Sequence, residues 1–170
     1  MYTPKNILSY AQAKILADNL RRRGKKIVFV SGSYDIPHFG HVYFFQKARL
    51  KGDVLFVSLG SDKNIRILKG KTRPILNEKI RSEMIASLKP VDYVVLDREE
   101  LVMPGKLNFV KLLDKIKPHI FAINNTDSAI KEKKALCQKK AIKLVLIDVT
   151  KGPDISTTKI INRIKGAPAF

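Results

Sequence analysis

The stretch Asp53-Val54-Leu55-Phe56-Val57-Ser58-Leu59-Gly60 is apolar almost without interruption. A strand with one wet face alternates polar and apolar residues, so a run without alternation belongs to a sheet covered on both faces. Covered sheets are typically parallel, and parallel strands need long crossovers, usually helices, between them. The rest of the chain supplies that pattern. Ile27 to Ser31, Asp92 to Leu96, His119 to Ile123 and Lys143 to Ile147 read as the other strands. A helix starts at Ser9, in a capping box with Gln12, and runs to Arg21-Arg22-Arg23 before Gly24 closes it. Further helices are expected from about Pro37 to Leu50, from Asn77 to Leu88 before Pro90, from Leu107 to Ile116 after a Pro104-Gly105 turn, from Ser128 to Lys140, and from Ser156 to Lys165. The expected fold is α/β: a doubly wound, five-stranded parallel sheet. The 170 residues fit one domain, with 1–24 as an N-terminal helix and 25–165 as the core.

Composition narrows the class. No apolar run approaches a membrane span, and the N-terminus lacks a signal-peptide pattern. The lone Cys137 excludes an internal disulfide framework, which fits a reducing, cytoplasmic setting. With no histidine near it in sequence, it reads as structural. The net charge of +18 raises the prior for anionic partners. The Lys and Arg residues are nevertheless spread along the whole chain, many at helix ends where the dipole favours them. No zinc-finger spacing or aromatic RNA-binding signature accompanies them, so specific nucleic-acid binding is not expected.

Three constellations carry chemistry. The first is Ser31-Gly32-Ser33-Tyr34-Asp35-Ile36-Pro37-His38-Phe39-Gly40-His41, where a strand ends in a glycine-containing turn and feeds a helix. Open α/β sheets bind phosphates at such turns, and two imidazoles there can donate to oxygens that gain charge. Gly40 would let a triphosphate approach the backbone. Asp35 has three open roles: orienting a histidine, holding the turn, or contacting a metal. The second is Asp154-Ile155-Ser156-Thr157-Thr158, three hydroxyls in a row where one would cap a helix. The third is the basic loop Lys69-Gly70-Lys71-Thr72-Arg73, with Arg81 beyond it, suited to cover a triphosphate. Its Gly70-Lys71-Thr72 is not a P-loop, because Ile65 stands where the first glycine is required. His119, at a strand start, reads as structural.

The first two constellations resemble the signatures of the cytidylyltransferase-like nucleotidyltransferases, G-x-F-D-x-x-H-x-G-H and G-I-S-T-T-x-I. Here they read Gly32 to His41, with Tyr34 for Phe, and Ile155 to Ile160. Over nearly the whole chain the resemblance is nearest to domains that adenylylate D-glycero-β-D-manno-heptose 1-phosphate. Shared segments include Gly60-Ser61-Asp62, Leu68-Lys69-Gly70, Arg73-Pro74-Ile75 and Val91-Asp92-Tyr93-Val94-Val95. The resemblance implies a Rossmann-like fold of the HxGH nucleotidyltransferase type. A sugar or alcohol phosphate would attack the α-phosphorus of a nucleoside triphosphate, and pyrophosphate would leave with the aid of Mg²⁺.

The resemblance also implies a residue set. His38, His41 and Lys69 would be catalytic. Ser31, Gly32, Ser33, Tyr34, Asp35, Gly40, Asn124, Asp127, Ile155, Ser156, Thr157 and Thr158 would bind the nucleotide. Arg49, Arg73 and Arg81 would meet the substrate phosphate, and no side chain is assigned as a metal ligand. The family's dimers make a homodimer one expectation.

Two departures stand out. Where heptose adenylyltransferases carry K-G-G-D-Y, this chain has Asn124-Asn125-Thr126-Asp127-Ser128, and Asp154 precedes Ile155 in place of glycine. A carboxylate beside a triphosphate repels it unless a metal or a lysine such as Lys151 intervenes. Two other readings therefore stand beside the adenylyltransferase. One is a CTP-dependent transferase acting on glycerol 3-phosphate or a similar alcohol phosphate. The other is a weakened nucleotide- or nucleic-acid-binding protein.

Overall fold

The structure is a computed structural model, described here over residues 6–100 and 109–167. It runs β1 (Ile7–Leu8), α1 (Tyr10–Arg22), β2 (Ile27–Gly32), α2 (Phe39–Arg49), β3 (Val54–Gly60), α3 (Asp62–Lys69), α4 (Glu78–Ala86), β4 (Tyr93–Asp97), α5 (Val110–Ile116), β5 (Ile120–Asn124), α6 (Ile130–Lys139), β6 (Lys143–Ile147) and α7 (Thr157–Lys165). Every strand pair is parallel, in the order β1-β4-β3-β2-β5-β6. The sheet therefore has six strands and not five. The added strand, β1, is two residues long and pairs Ile7 with Val94 and Leu8 with Val95. Two residues show no periodicity, so only the sheet edge reveals them.

Alternation along the strands sorts the core into two layers, as a doubly covered sheet requires. On one face Ile27, Phe29, Phe56, Val95 and Phe121 meet Ala13, Ala17 and Leu20 of α1, Leu112, Leu113 and Ile116 of α5, and Cys137 of α6. On the other, Val28, Val30, Leu55, Val57, Val94 and Ala122 meet Phe44, Phe45 and Ala48 of α2 and Ile85 and Ala86 of α4. The N-terminal helix is thus part of the core. Its capping box forms as expected, Gln12 N–H donating to Ser9 Oγ at 3.2 Å and Ser9 N–H to Gln12 Oε1 at 2.9 Å. Asn77 caps α4 by accepting the Ile80 N–H at 3.0 Å.

Helix α3 was not expected. Its sequence, Asp-Lys-Asn-Ile-Arg-Ile-Leu-Lys, reads as a polar stretch because Ile65 is the only apolar side chain it buries. Ser61 caps it, accepting the Asn64 N–H at 3.3 Å. The Pro104-Gly105 turn and the start of the expected Leu107 helix lie outside the described residues. No helix among the described residues is long and apolar enough to cross a membrane.

From β2 the chain winds outward to β3 and β4 on one side, and β5 and β6 extend the other. The order reverses between β2 and β5, and a crevice opens there at the carboxyl ends of the strands.

Candidate functional site

A cavity of about 920 Å³ occupies that crevice. It is lined by Ser31 to Tyr34, His38, Gly40, His41, Lys69, Arg73, Asn124, Asp127 and Ile155 to Thr158. Of the residues expected at the site, Asp35, Arg49 and Arg81 alone are missing from that lining.

The histidines sit at the amino end of α2. His38 is the N-cap, its Nδ1 accepting the Gly40 N–H at 3.1 Å, and His41 Nδ1 accepts the His38 N–H at 3.3 Å. The two rings stack with centroids 3.8 Å apart. With Nδ1 acting as an acceptor, each neutral ring carries its proton on Nε2. The chain thus supplies two N–H donors in a fixed tautomer. Burial lowers the pKa of His38, and burial, with His38 and Lys69 nearby, pushes His41 down to about 3. Gly40 has a local reason to be glycine: a Cβ there would lie 2.9 Å from His38 Cε1 and 3.2 Å from the Ile155 carbonyl oxygen.

The turn before the histidines holds two non-glycine residues at positive φ, Tyr34 and Ile36, each at 45°. Such a conformation costs energy, most of all for a β-branched residue, and persists only where its surroundings enforce it. Asp35 enforces it. Its buried carboxylate accepts N–H groups from Ile75 at 2.9 Å and Leu76 at 3.0 Å, and pairs with Arg73 Nε at 2.9 Å. Burial pushes its pKa up, and these donors outweigh burial to leave it lowered. Its carbonyl accepts the Thr157 hydroxyl at 2.6 Å. Of its three open roles, Asp35 fills the holding one, tying the turn to the basic loop and to α7.

The three hydroxyls divide their labour. Ser156 caps α7 through the Lys159 N–H at 3.2 Å, Thr157 reaches Asp35, and Thr158 is exposed at the cavity. Thr157 and Thr158, the first two residues of α7, line the same cavity, and the opening turn of a helix is suited to anions.

The arginines separate. Arg73 keeps its place, anchored through Nε with its terminal nitrogens unbonded among the described residues. Arg81 is fully buried and donates to the carbonyls of Leu76, Ser33 and Gly60 and to Asp62. It is a strut gathering the ends of β2 and β3, not a phosphate ligand. Arg49 sits about 16 Å along α2 from His38, where Asp92 at 2.8 Å and the Gly52 carbonyl at 2.7 Å hold it. Lys69 makes no hydrogen bond or ion pair among the described residues. Burial and Arg73 lower its pKa.

The departures from the family pattern find structural partners. Asp154 is exposed and pairs with Lys159, whereas Lys151 lies 4.0 Å from Asp148. The lysine facing Asp154 is therefore Lys159. Asn125 donates to Asp148 at 3.1 Å and accepts the Val149 N–H at 3.2 Å, pinning the β5 loop to the end of β6.

Sequence reasoning missed Lys133 and Asp97. Lys133, 7% exposed, reaches from α6 to Asp127 at 2.6 Å beneath the rings of Phe109 and Phe121. Nothing distinguishes it within a lysine-rich helix. Asp97 had a signal: a carboxylate ending the apolar run Tyr93–Leu96, on the strand face that Val95 buries.

A family model described as cytidylyltransferase-like matches residues 29–163. The chain belongs to that family. It is 40% identical over 160 residues to the bifunctional protein HldE of Aliarcobacter butzleri, covering 94% of this chain and 31% of that protein. HldE of Helicobacter pylori is 39% identical over 164 residues, with 94% and 33% covered. The chain thus spans about a third of the length of these curated relatives. Among solved structures, a lipopolysaccharide core biosynthesis protein from Thermoplasma volcanium superposes with a TM-score of 0.62 at 25% identity, covering 76% of this chain and all of that one. Pantoate-beta-alanine ligase from Francisella tularensis shares the fold, with a TM-score of 0.64 at 18% identity over 94% of this chain and 76% of that one.

Proposed function

We propose that this chain transfers an adenylyl group from ATP to a sugar phosphate such as heptose 1-phosphate, with release of pyrophosphate. The observation that carries the reading is the stacked His38–His41 pair, whose Nδ1 atoms are held by backbone N–H groups. Both Nε2–H donors are left for phosphate oxygens. Similarity to the HldE proteins supports ATP over CTP and a sugar phosphate over an alcohol phosphate.

An oxygen of the acceptor phosphate forms a bond to the α-phosphorus, and the bond to the α,β-bridging oxygen breaks. Charge grows on the departing oxygens, so positioned donors stabilise the transition state more than the ground state. The two imidazoles act on the α- and β-phosphates as neutral donors, because burial keeps His41 unprotonated through the working pH range. Thr158 and the amino end of α7 take the leaving β- and γ-phosphates. Lys69 and Arg73 draw the acceptor phosphate toward the α-phosphorus. No protein nucleophile is needed.

Among the described residues, no three His, Cys, Asp or Glu side chains gather as a metal site. The carboxylates of Asp35, Asp127 and Asp154 are each engaged by a cationic side chain. That donor set fits a magnesium ion held through phosphate oxygens and water. Magnesium would neutralise charge on the triphosphate.

The test is pyrophosphate release from ATP and from CTP, each offered with heptose 1-phosphate or glycerol 3-phosphate. Turnover with ATP and heptose 1-phosphate is expected. Turnover confined to CTP and glycerol 3-phosphate would replace this reading with the cytidylyltransferase one, and none with any pair would remove it.

A further inference from the structure

On the β3–β4 side the cavity meets a polar row that the reaction described above leaves unused. Ser31 and Ser58 are in register near the ends of β2 and β3, and Asp97, the last residue of β4, stands two residues beyond Val95, the register partner of Ser58. All three share one sheet face, each two residues beyond a core side chain: Phe29, Phe56 and Val95. By the period of a strand these positions are due to be apolar. All three line the cavity. With strands about 4.8 Å apart and Asp97 two residues past the register of Ser58, the row spans about 12 Å.

Its hydrogen bonding is incomplete. Asp97 is 1% exposed and has no ion-pair partner among the described residues. Its Oδ1 accepts the Tyr10 hydroxyl and the Glu99 N–H at 3.0 Å, and Oδ2 has one long bond, from Ser58 Oγ at 3.3 Å. Ser31 Oγ makes no hydrogen bond among the described residues. Burial raises the Asp97 pKa to about 6 against the pull of these donors. A buried carboxylate with spare lone pairs gains from any donor that reaches it.

The occupant follows from that chemistry. A ligand hydroxyl donates to Asp97 Oδ2 and accepts from Ser31 Oγ, whereas an alkyl chain leaves Asp97 Oδ2 with its one long bond from Ser58 and Ser31 with none. A quaternary ammonium would pair the carboxylate but set methyl groups against the serines. We infer that Asp97, with Ser58 and Ser31, is the specificity determinant for the organic part of the acceptor and selects a polyhydroxylated phosphate through its hydroxyl groups. The inference rests on the transferase reading, with Lys69 and Arg73 holding the acceptor's phosphate at the near end of the row.

The test compares wild type, Asp97→Asn and Ser58→Ala in calorimetric binding of heptose 1-phosphate, glycerol 3-phosphate, propyl phosphate and ATP, followed by KM and kcat for each substrate. Asp97→Asn keeps the shape and turns one acceptor oxygen into a donor. It is expected to weaken the hydroxylated phosphates on the order of ten- to a hundredfold. Propyl phosphate and ATP affinity should be unchanged, and the acceptor's KM should move far more than kcat. Ser58→Ala, which removes the hydroxyl bonded to Asp97, should change binding of the same ligands about two- to tenfold, and it keeps the test alive if Asp97→Asn loses its link to Tyr10 and fails to fold. Equal loss for propyl phosphate, loss confined to ATP, or no change in either variant would overturn the inference. Wild type binding propyl phosphate as tightly as the hydroxylated ligands would do the same. Binding and turnover of glycerol 3-phosphate without heptose 1-phosphate would remove the sugar-phosphate reading alone, and the Asp97 inference would then be decided by glycerol 3-phosphate against propyl phosphate.

Discussion

Replacing Gly40 with alanine should separate catalysis from stability. The added Cβ would stand 2.9 Å from His38 Cε1, 3.0 Å from His38 Nδ1 and 3.2 Å from the Ile155 carbonyl oxygen. The imidazole is the end of a side chain with two rotatable bonds, so it swings away more cheaply than the backbone moves. Doing so breaks the Gly40 N–H bond to Nδ1, a loss of about 0.5–1.5 kcal/mol. Alanine in the first turn of α2 returns up to about 1 kcal/mol of helix propensity. The two nearly cancel, and the urea midpoint should move little. Catalysis has no such offset. With His38 displaced, one phosphate donor and the His38–His41 stack are lost, and kcat for pyrophosphate release should fall on the order of a hundredfold. A double variant with His38→Ala should be no worse than either single one, since both remove the same donor. Activity within threefold of wild type would show that the His38 ring position does not matter, and an unfolded variant would show that the Ile155 contact dominates.

Further outcomes follow from the same contacts. His41 takes a proton near its ordinary pKa of 6.5 when unfolded and only near 3 when folded, so the unfolded state binds more protons between those values. Stability should therefore fall as pH drops from about 6.5 toward 3, and His41→Asn should flatten that slope in pH-dependent urea melts. Arg81→Met strips the donors from three carbonyls and Asp62 and should cost about 3–5 kcal/mol in the same melts, while Arg49→Ala should leave pyrophosphate release within twofold. Tyr34 has the one buried side-chain polar atom without a partner among the described residues, and its ring packs edge-on to His41 at 5.4 Å. Tyr34→Phe should raise stability by about 1 kcal/mol with activity retained; a lower melting temperature would mean that the hydroxyl is bonded.

Much of the site was readable in one dimension because its chemistry is local. Both Nδ1 bonds of the histidine pair close within three residues, and the Ser156 cap spans three more. Residues confined to one turn announce themselves by type and spacing. The strands of the core did so as well, since burial on both faces leaves an apolar run in Val54–Leu59 that only Ser58 breaks.

What the tertiary structure decided is which charges meet. Arg49, Arg73 and Arg81 look alike in sequence. One is drawn by Asp92 to the far end of α2, one is buried by four acceptors, and one remains at the cavity. Asp35 needed Ile75, Leu76 and Thr157 beside it before holding the turn could be separated from its other possible roles. β1 exists only because β4 offers it an edge, and the Ser31–Ser58–Asp97 row exists only because three strands bring their ends together. Chain order sets the type and local spacing of donors. The low dielectric and fixed geometry of the folded interior set which of them are paired, and those left unpaired are available to substrate.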